Sequence, residues 1–189
     1  MQRGLFGAAN PYFNLGGVPI NTRYMTLSAL FAALLAVCAW LSIPVSDISF
    51  TMQTFGVFLA LLLLGGKWGT VSIFIYLLLG AVGLPVFSGF RGGLGQLLGI
   101  TGGFLWGFLL SGLIFWLLER FGKILALIAG LLCCYGCGCL WFYFHSGGGL
   151  GLILLRCVLP YLIPDGVKLV LACSLARRLR KVIKLPSRA

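Results

Sequence analysis

The chain has 189 residues, 60% of them hydrophobic and only 9% charged, with a mean hydropathy of +1.08. A soluble domain carries roughly 25% charged and about 45–50% apolar residues, so this composition excludes a cytosolic globular protein, a disordered tail and a secreted disulfide scaffold. The net charge of +11, from 14 Lys and Arg against three acids, points in so apolar a chain to membrane topology and anionic lipid, and away from nucleic acid.

The fold class expected is an all-α integral membrane protein, one domain over residues 25–180, with six transmembrane helices and both termini cytoplasmic. At about 20 residues a span, six spans take about 120 residues and leave only short loops. Residues 1–24 are Gly-, Pro- and Asn-rich and read as a cytoplasmic lead without a signal-peptide pattern. The first span runs from about Met25 to Val45. The second runs from about Phe50 to Leu64 and stops at Gly65-Gly66-Lys67-Trp68. The third runs from about Gly69 to Val86, where Pro85 ends or kinks it. A polar, Gly-rich stretch follows, Ser88 to Gly99, with Arg91 and Gln96. The fourth span covers Thr101 to Leu118, a charged loop Glu119 to Lys123, and the fifth Ile124 to Phe144. Leu152 to Ile163, apolar but holding Arg156 and Pro160, reads as a surface or re-entrant helix leading into a sixth span at Gly166 to Leu179. Residues 181–189 form a basic cytoplasmic tail.

On this topology eleven basic residues lie inside and three outside: Arg91, Arg156 and Lys168. That is a positive-inside bias, and an odd span count would put the basic tail opposite the other inner loops. The three outer cations, near Asp47 and Asp165, are therefore the informative ones. Asp165 and Lys168 are three apart and share a helix face. A charge at the start of a span is costly unless paired or solvated, which makes the pair a candidate ligand site. Asp165, between Pro164 and Gly166, also reads as a helix-start cap, and the two roles can coexist. Thr51, Gln53 and Thr54 form a second polar group, suited to a ligand or to bonds between helices. Arg91 offers a fork for a carboxylate or is a solvated loop charge. Trp40, Phe50, Phe87 and Phe90 lie at the same level, as pocket walls or interfacial aromatics. Together these residues describe an outward-facing pocket for a ligand with an apolar middle, an N–H-rich end and a carboxylate.

Two further patterns stand apart. Ala29, Ala32, Ala33 and Ala36 form two overlapping AxxxA pairs, which suit close approach of another helix, from a partner or within the bundle. Cys133, Cys134, Cys137 and Cys139 crowd one apolar segment. One CxxC and a lone His145 fall short of a zinc set, and the thiols are read as weakly polar hydrophobes before a redox role or a metal. The sequence has no phosphate-binding loop and no chain of intramembrane carboxylates, so energy for transport would come from partners.

Three stretches carry a family resemblance: Ile48-Ser-Phe-Thr-Met-Gln-Thr-Phe-Gly-Val, Leu78-Leu-Leu-Gly-Ala-Val-Gly-Leu-Pro-Val-Phe-Ser-Gly and Gly99-Ile-Thr-Gly-Gly-Phe-Leu-Trp-Gly-Phe. With Leu159-Pro-Tyr-Leu-Ile-Pro-Asp-Gly-Val-Lys they resemble the BioY family, in order, over roughly residues 25–180. The resemblance implies a biotin-binding S component of energy-coupling factor (ECF) transporters in the bacterial cytoplasmic membrane, served by a T subunit and two cytosolic ATPase subunits. It implies that Asp165 and Lys168 hold the ligand's polar groups and that Arg91 lines the site, with Gln53 and Tyr76 as weaker carry-overs. The alanine pairs would match the face that docks on the T subunit. The ligand it implies is biotin, and neither a cofactor nor a catalytic residue is expected. The chain departs from the family at Asp47-Ile48-Ser49, where Pro is common, in its Cys-rich run and in its long basic tail. The competing readings are a subunit for another small carboxylated vitamin, separable by competition, and a membrane enzyme, separable by turnover.

Overall fold

The computed structural model describes residues 12–15, 18–44, 49–147 and 149–182. Asp47, residues 1–11 of the lead and the tail beyond Val182 lie outside the described residues, as does the side chain of Arg156. Two short antiparallel ribbons punctuate an otherwise helical chain. β1 (Tyr12–Leu15) pairs with β2 (Val18–Asn21), and β3 (Ser42–Pro44) pairs with β4 (Ser49–Thr51) with Ser42 opposite Thr51. The helices are α1 (Thr22–Trp40), α2 (Gln53–Ala81), α3 (Leu94–Leu98), α4 (Gly102–Leu118), α5 (Lys123–Ser146), α6 (Leu150–Cys157) and α7 (Leu159–Val182). In lipid every backbone N–H and C=O must be satisfied within the chain, which favours helices throughout. α1, α2, α5 and the stretch from Ile153 to Lys181 are long and apolar enough to cross a membrane, and α4 is a shorter apolar helix.

α2 is one continuous run of helix only in name. Gly65 at φ 84°, ψ 175° breaks it, a backbone conformation open essentially to glycine. Across the break the Gln53 side chain hydrogen-bonds Tyr76 at 2.6 Å, although 23 residues of straight helix would hold them about 35 Å apart. The limbs 53–64 and 66–81 therefore fold back on each other as an antiparallel hairpin. This is the division expected at Gly65-Gly66.

α1 and α7 pack on the α2 hairpin, and α4 bridges it to α5. The core between them holds Leu35, Leu61, Ile73, Tyr76, Phe115, Leu127 and Ala172. α4 and α5 approach closely through glycine: a Cβ on Gly107 would lie 3.0 Å from the Cα of Cys134, and one on Gly130 would lie 3.0 Å from the Ser111 carbonyl. Small residues are what let helices in lipid come so near. The outer surface is studded with exposed Leu30, Phe74, Leu117, Phe144 and Val170, an arrangement that suits lipid better than water.

Three expected boundaries move. The first span stops at Trp40, because the chain enters β3. The third stops at Ala81, where Gly83 turns at φ 105°. The last helix begins at Leu159 and takes Pro164 into its interior. Asp165 is thus a helix-interior residue and not the cap at a helix start; its carboxylate serves side chains instead.

The bundle has two chemically distinct ends. At one, Trp40 donates its indole N–H to the Pro85 carbonyl at 2.8 Å. At the other, Ser28 donates to the Trp68 carbonyl at 3.3 Å and Tyr24 stacks on the Trp68 ring. Glu119 accepts the Gly66 amide there at 3.1 Å, and Arg180 donates to the Leu62 carbonyl. These contacts collect Arg23, Lys67, Arg120, Lys123, Arg177, Arg178, Arg180 and Lys181 at the Trp68 end. Arg91 lies at the Trp40 end, where Lys168 also reaches β4.

Candidate functional site

At the Trp40 end a cavity of about 330 Å³ opens between four pieces of chain. The β3–β4 ribbon contributes Ser42, Ser49 and Thr51, and the first residue of α2 contributes Gln53. The loop after α2 contributes Phe87, Ser88, Gly89 and Arg91, and beyond it come Gln96 of α3 and Thr101 and Leu105. The loop keeps its shape through its own backbone: the Phe87 amide bonds the Arg91 carbonyl at 2.9 Å and the Gly93 amide bonds the Gly80 carbonyl at 2.7 Å. Phe90 turns the loop with φ 57°, and its ring stacks on Trp40 at 5.1 Å. The result is a wall rich in hydroxyl and amide groups, one guanidinium, and apolar faces from Phe87 and Leu105. At this size the cavity lies at the low end of the range for small-molecule pockets, about 300–1,000 Å³.

A polar relay runs behind the wall. The Tyr135 hydroxyl donates to Asp165 Oδ2 at 2.6 Å, and Lys168 Nζ donates to Asp165 Oδ1 at 2.7 Å. Lys168 Nζ also donates to the Thr51 carbonyl at 2.7 Å and lies 4.0 Å from the centroid of the Phe50 ring. Two donated bonds and a ring face account for an ammonium's usual partners. The Thr51 hydroxyl donates to Gln53 Oε1 at 3.1 Å, and Gln53 Nε2 donates to the Tyr76 oxygen at 2.6 Å. Tyr76 meets Phe87 edge-on at 5.5 Å. The relay thus joins α5, α7, β4 and both limbs of α2, and it reaches the cavity at Thr51 and Gln53. Asp165 is 3% and Lys168 4% exposed. Two charges at that depth are tolerable only as a hydrogen-bonded pair, and no buried side-chain nitrogen or oxygen among the described residues lacks a partner.

The structure therefore brings the five expected ligand residues into one region in two tiers. Gln53 and Arg91 line the cavity. Asp165, Lys168 and Tyr76 stand behind it, connected through Thr51 and Gln53. Phe87 is a wall residue, Phe50 covers Lys168, and Trp40 and Phe90 brace the loop from outside the lining. Ser42, Ser49, Thr101 and Tyr135 were not singled out from the sequence. Tyr135 carried a legible signal: a phenol in an apolar span must find an acceptor, and only three acids exist.

The four alanines divide. Ala32 and Ala36 are buried in the core, whereas Ala29 and Ala33 face outward. Of the four residues expected to form a docking face, only Ala29 and Ala33 are exposed, and Ala32 and Ala36 are occupied by contacts within the bundle. All seven cysteines are free thiols. Cys134 points its Sγ at the Phe104 carbonyl, 3.6 Å away, and Cys139 packs with Phe142 and Cys157. Among the described residues no three His, Cys, Asp or Glu side chains are grouped to hold a metal ion.

Comparison with known proteins adds the family. The model of the BioY family matches residues 11–185. A biotin transporter BioY from Thermotoga maritima is 41% identical over 170 residues, covering 85% of this chain and 97% of that protein. A probable biotin transporter BioY from Pyrococcus horikoshii is 40% identical over 161 residues, covering 85% and 98%. In three dimensions the chain is similar to the crystal structure of the S-component for biotin from an ECF-type ABC transporter. The TM-score is 0.78 at 29% identity, over 85% of this chain and 92% of that one. With a match over nearly its whole length and relatives at this identity, the chain belongs to the BioY family.

Proposed function

We propose that this chain takes up biotin as the substrate-capturing S component of an ECF-type transporter, with the cavity at the Trp40 end as its binding site. The observation that carries the reading is the composition of that cavity wall. Biotin has a ureido ring with two N–H donors, an apolar thioether ring and a valerate carboxylate. The wall offers Ser, Thr and Gln oxygens, the faces of Phe87 and Leu105, and the fork of Arg91, in a space of about 330 Å³. On this reading Arg91 and Gln53 touch the ligand, and Tyr76 orients Gln53. Asp165 and Lys168 take the ligand's polar groups, with Lys168 exchanging the Thr51 carbonyl for a ligand oxygen. The protein is a transport component and not an enzyme; its relatives are named as transporters. It needs no cofactor on this reading.

It is a membrane protein, and we place it in the bacterial cytoplasmic membrane with six spans: α1, the two limbs of α2, α4, α5 and α7. The gathering of basic residues at the Trp68 end supports a cytoplasmic position for that end and for both termini. The energy comes from a T subunit and two cytosolic ATPase subunits, and the outward pair Ala29 and Ala33 supplies the small-residue face on which the T subunit docks.

Calorimetric titration of biotin into the purified protein in detergent tests the central claim. The expected result is one-to-one, submicromolar binding, displaced by desthiobiotin and untouched by thiamine. Absence of binding to well-folded protein overturns it, and tighter binding of lipoate would transfer the site to another carboxylated vitamin.

A further inference from the structure

Gly80 and Phe87 belong to one contiguous stretch of sequence, and the chain folds back to bring them into contact. Gly80 sits in the last turn of α2, and the chain reverses just beyond it at Gly83, φ 105°. The Phe87 ring then lies on the helix so closely that a Cβ on Gly80 would overlap its tip, the Cζ and both Cε atoms. Tyr76, one turn before Gly80 on the same helix face, meets the ring edge-on at 5.5 Å. The ring thus occupies a seat made of a tyrosine edge and a missing side chain. The backbone around it is pinned. The Gly80 carbonyl accepts the amides of Gly83 at 3.1 Å and Gly93 at 2.7 Å, and the Phe87 amide bonds the Arg91 carbonyl at 2.9 Å.

Phe87 is 3% exposed and lines the ligand cavity. Protein interiors are close-packed and leave few voids, so a ring pushed off this seat has one space to enter, the cavity itself. A side chain at Gly80 would therefore narrow the cavity from an apolar side. Phe87 and Leu105 are its apolar walls, where the thioether ring of the proposed ligand lies. At about 330 Å³ the cavity has little volume to spare. We infer that Gly80 is a positioning residue that sets the thickness of ligand the site admits: having no side chain, it lets Phe87 withdraw far enough to admit a fused bicyclic ring. The inference rests on the biotin reading above and adds to it a determinant of specificity that is not itself in the cavity lining.

Titration of biotin and desthiobiotin into the purified full chain and its variants tests it. Biotin is a rigid fused bicycle; desthiobiotin keeps the ureido ring and the carboxylate but lacks the sulfur that closes the second ring. Gly80→Ala should lower the ratio of biotin to desthiobiotin affinity roughly tenfold, the effect of a methylene-sized misfit in an apolar pocket. In the Phe87→Leu background the ring is gone, and Gly80→Ala should leave the ratio where Phe87→Leu alone puts it. Gly130→Ala, at a buried helix contact outside the lining, should lower the melting temperature and leave the ratio unchanged. A merely structural role for Gly80 would weaken both ligands alike. Equal loss of both ligands overturns the inference, as does an unchanged ratio, an equal fall of the ratio in the Phe87→Leu background, or an equal fall in Gly130→Ala. If Gly80→Ala does not fold, its combination with Phe87→Leu and the single variant Phe87→Trp decide. A folded double variant with a lowered ratio in Phe87→Trp supports the seat; an unfolded double variant or an unchanged ratio overturns it. A wild type that binds neither ligand overturns the biotin reading and this inference with it, whereas a wild type that binds both, with the ratio unmoved in Gly80→Ala, overturns this inference alone.

Discussion

Tyr135 and Lys168 grip the two oxygens of one carboxylate, the phenol on Asp165 Oδ2 at 2.6 Å and the ammonium on Oδ1 at 2.7 Å. The carboxylate and the ammonium sit on α7 and the phenol on α5, so the phenol's bond also ties those helices together. Tyr135→Phe removes one hydrogen bond to a charged group, worth about 1.5–3 kcal/mol. The expected outcome is a lowered melting temperature with Lys168 still paired. Biotin affinity should fall less than for a change at Asp165 itself. An unchanged melting temperature would mean that the phenol contributes nothing to the fold.

Removing one partner of a buried ion pair leaves the other charge uncompensated, which costs about 3–5 kcal/mol. Asp165→Asn and Lys168→Met should each destabilise the protein by that order and weaken biotin binding by about 2–5 kcal/mol. The double variant should be more stable than either single one, because no isolated charge remains. Thermal unfolding and titration of the three variants check this. Wild-type affinity in both single variants would exclude the pair from the site.

Gln53 and Tyr76 test the link between relay and cavity. Tyr76→Phe takes away the oxygen that accepts Gln53 Nε2 and frees the amide to turn. Stability should fall by about 1 kcal/mol. Biotin affinity should fall in Gln53→Leu and Tyr76→Phe non-additively, since the two residues share one bond. A double-mutant cycle on the binding constant measures the coupling, and a coupling of zero would place Tyr76 outside the binding machinery.

Gly65 holds a backbone conformation, φ 84° and ψ 175°, that costs a residue with a Cβ about 1–3 kcal/mol. Gly65→Ala should therefore destabilise by at least that much, and Gly66→Ala should do worse because its Cβ would overlap the backbone of Trp116. Gly136→Ala, with open space around it, is the control and should be neutral or stabilising. Size-exclusion profiles after heating rank the three. Equal behaviour would argue against a hairpin at Gly65.

The outer alanines can be separated from the inner ones. Ala33→Trp adds a ring to the surface and should abolish cellular biotin uptake while the purified protein still binds biotin. Ala32→Trp forces the ring into a site that is 1% exposed, and overpacking a core costs typically 1–3 kcal/mol. It should lower stability and, through it, binding. Full uptake by Ala33→Trp would remove the docking role from this face.

Much of the molecule is legible in order of residue. The apolar runs, the break at Gly65-Gly66 and the segregation of cations follow from periodicity, glycine and the energetics of charge near lipid, all local properties. The resemblance to BioY rests on contiguous motifs for the same reason. Asp165 and Lys168 can be paired from their spacing alone. What one dimension does not contain is which distant groups complete them. The Tyr135 phenol lies 30 residues from Asp165, and the Thr51 carbonyl 117 residues from Lys168. A helix cap and a mid-helix ion pair look alike until the true start of α7, at Leu159, is known. The split of four alanines into a core pair and an outer pair depends on how α1 is rotated against the α2 hairpin, and that rotation is set by packing. A second cavity, of about 300 Å³, is likewise the meeting of Leu62, Lys123 and Arg177 from α2, α5 and α7. Burial and long-range hydrogen bonding are properties of the assembled bundle, so only the tertiary structure could decide them.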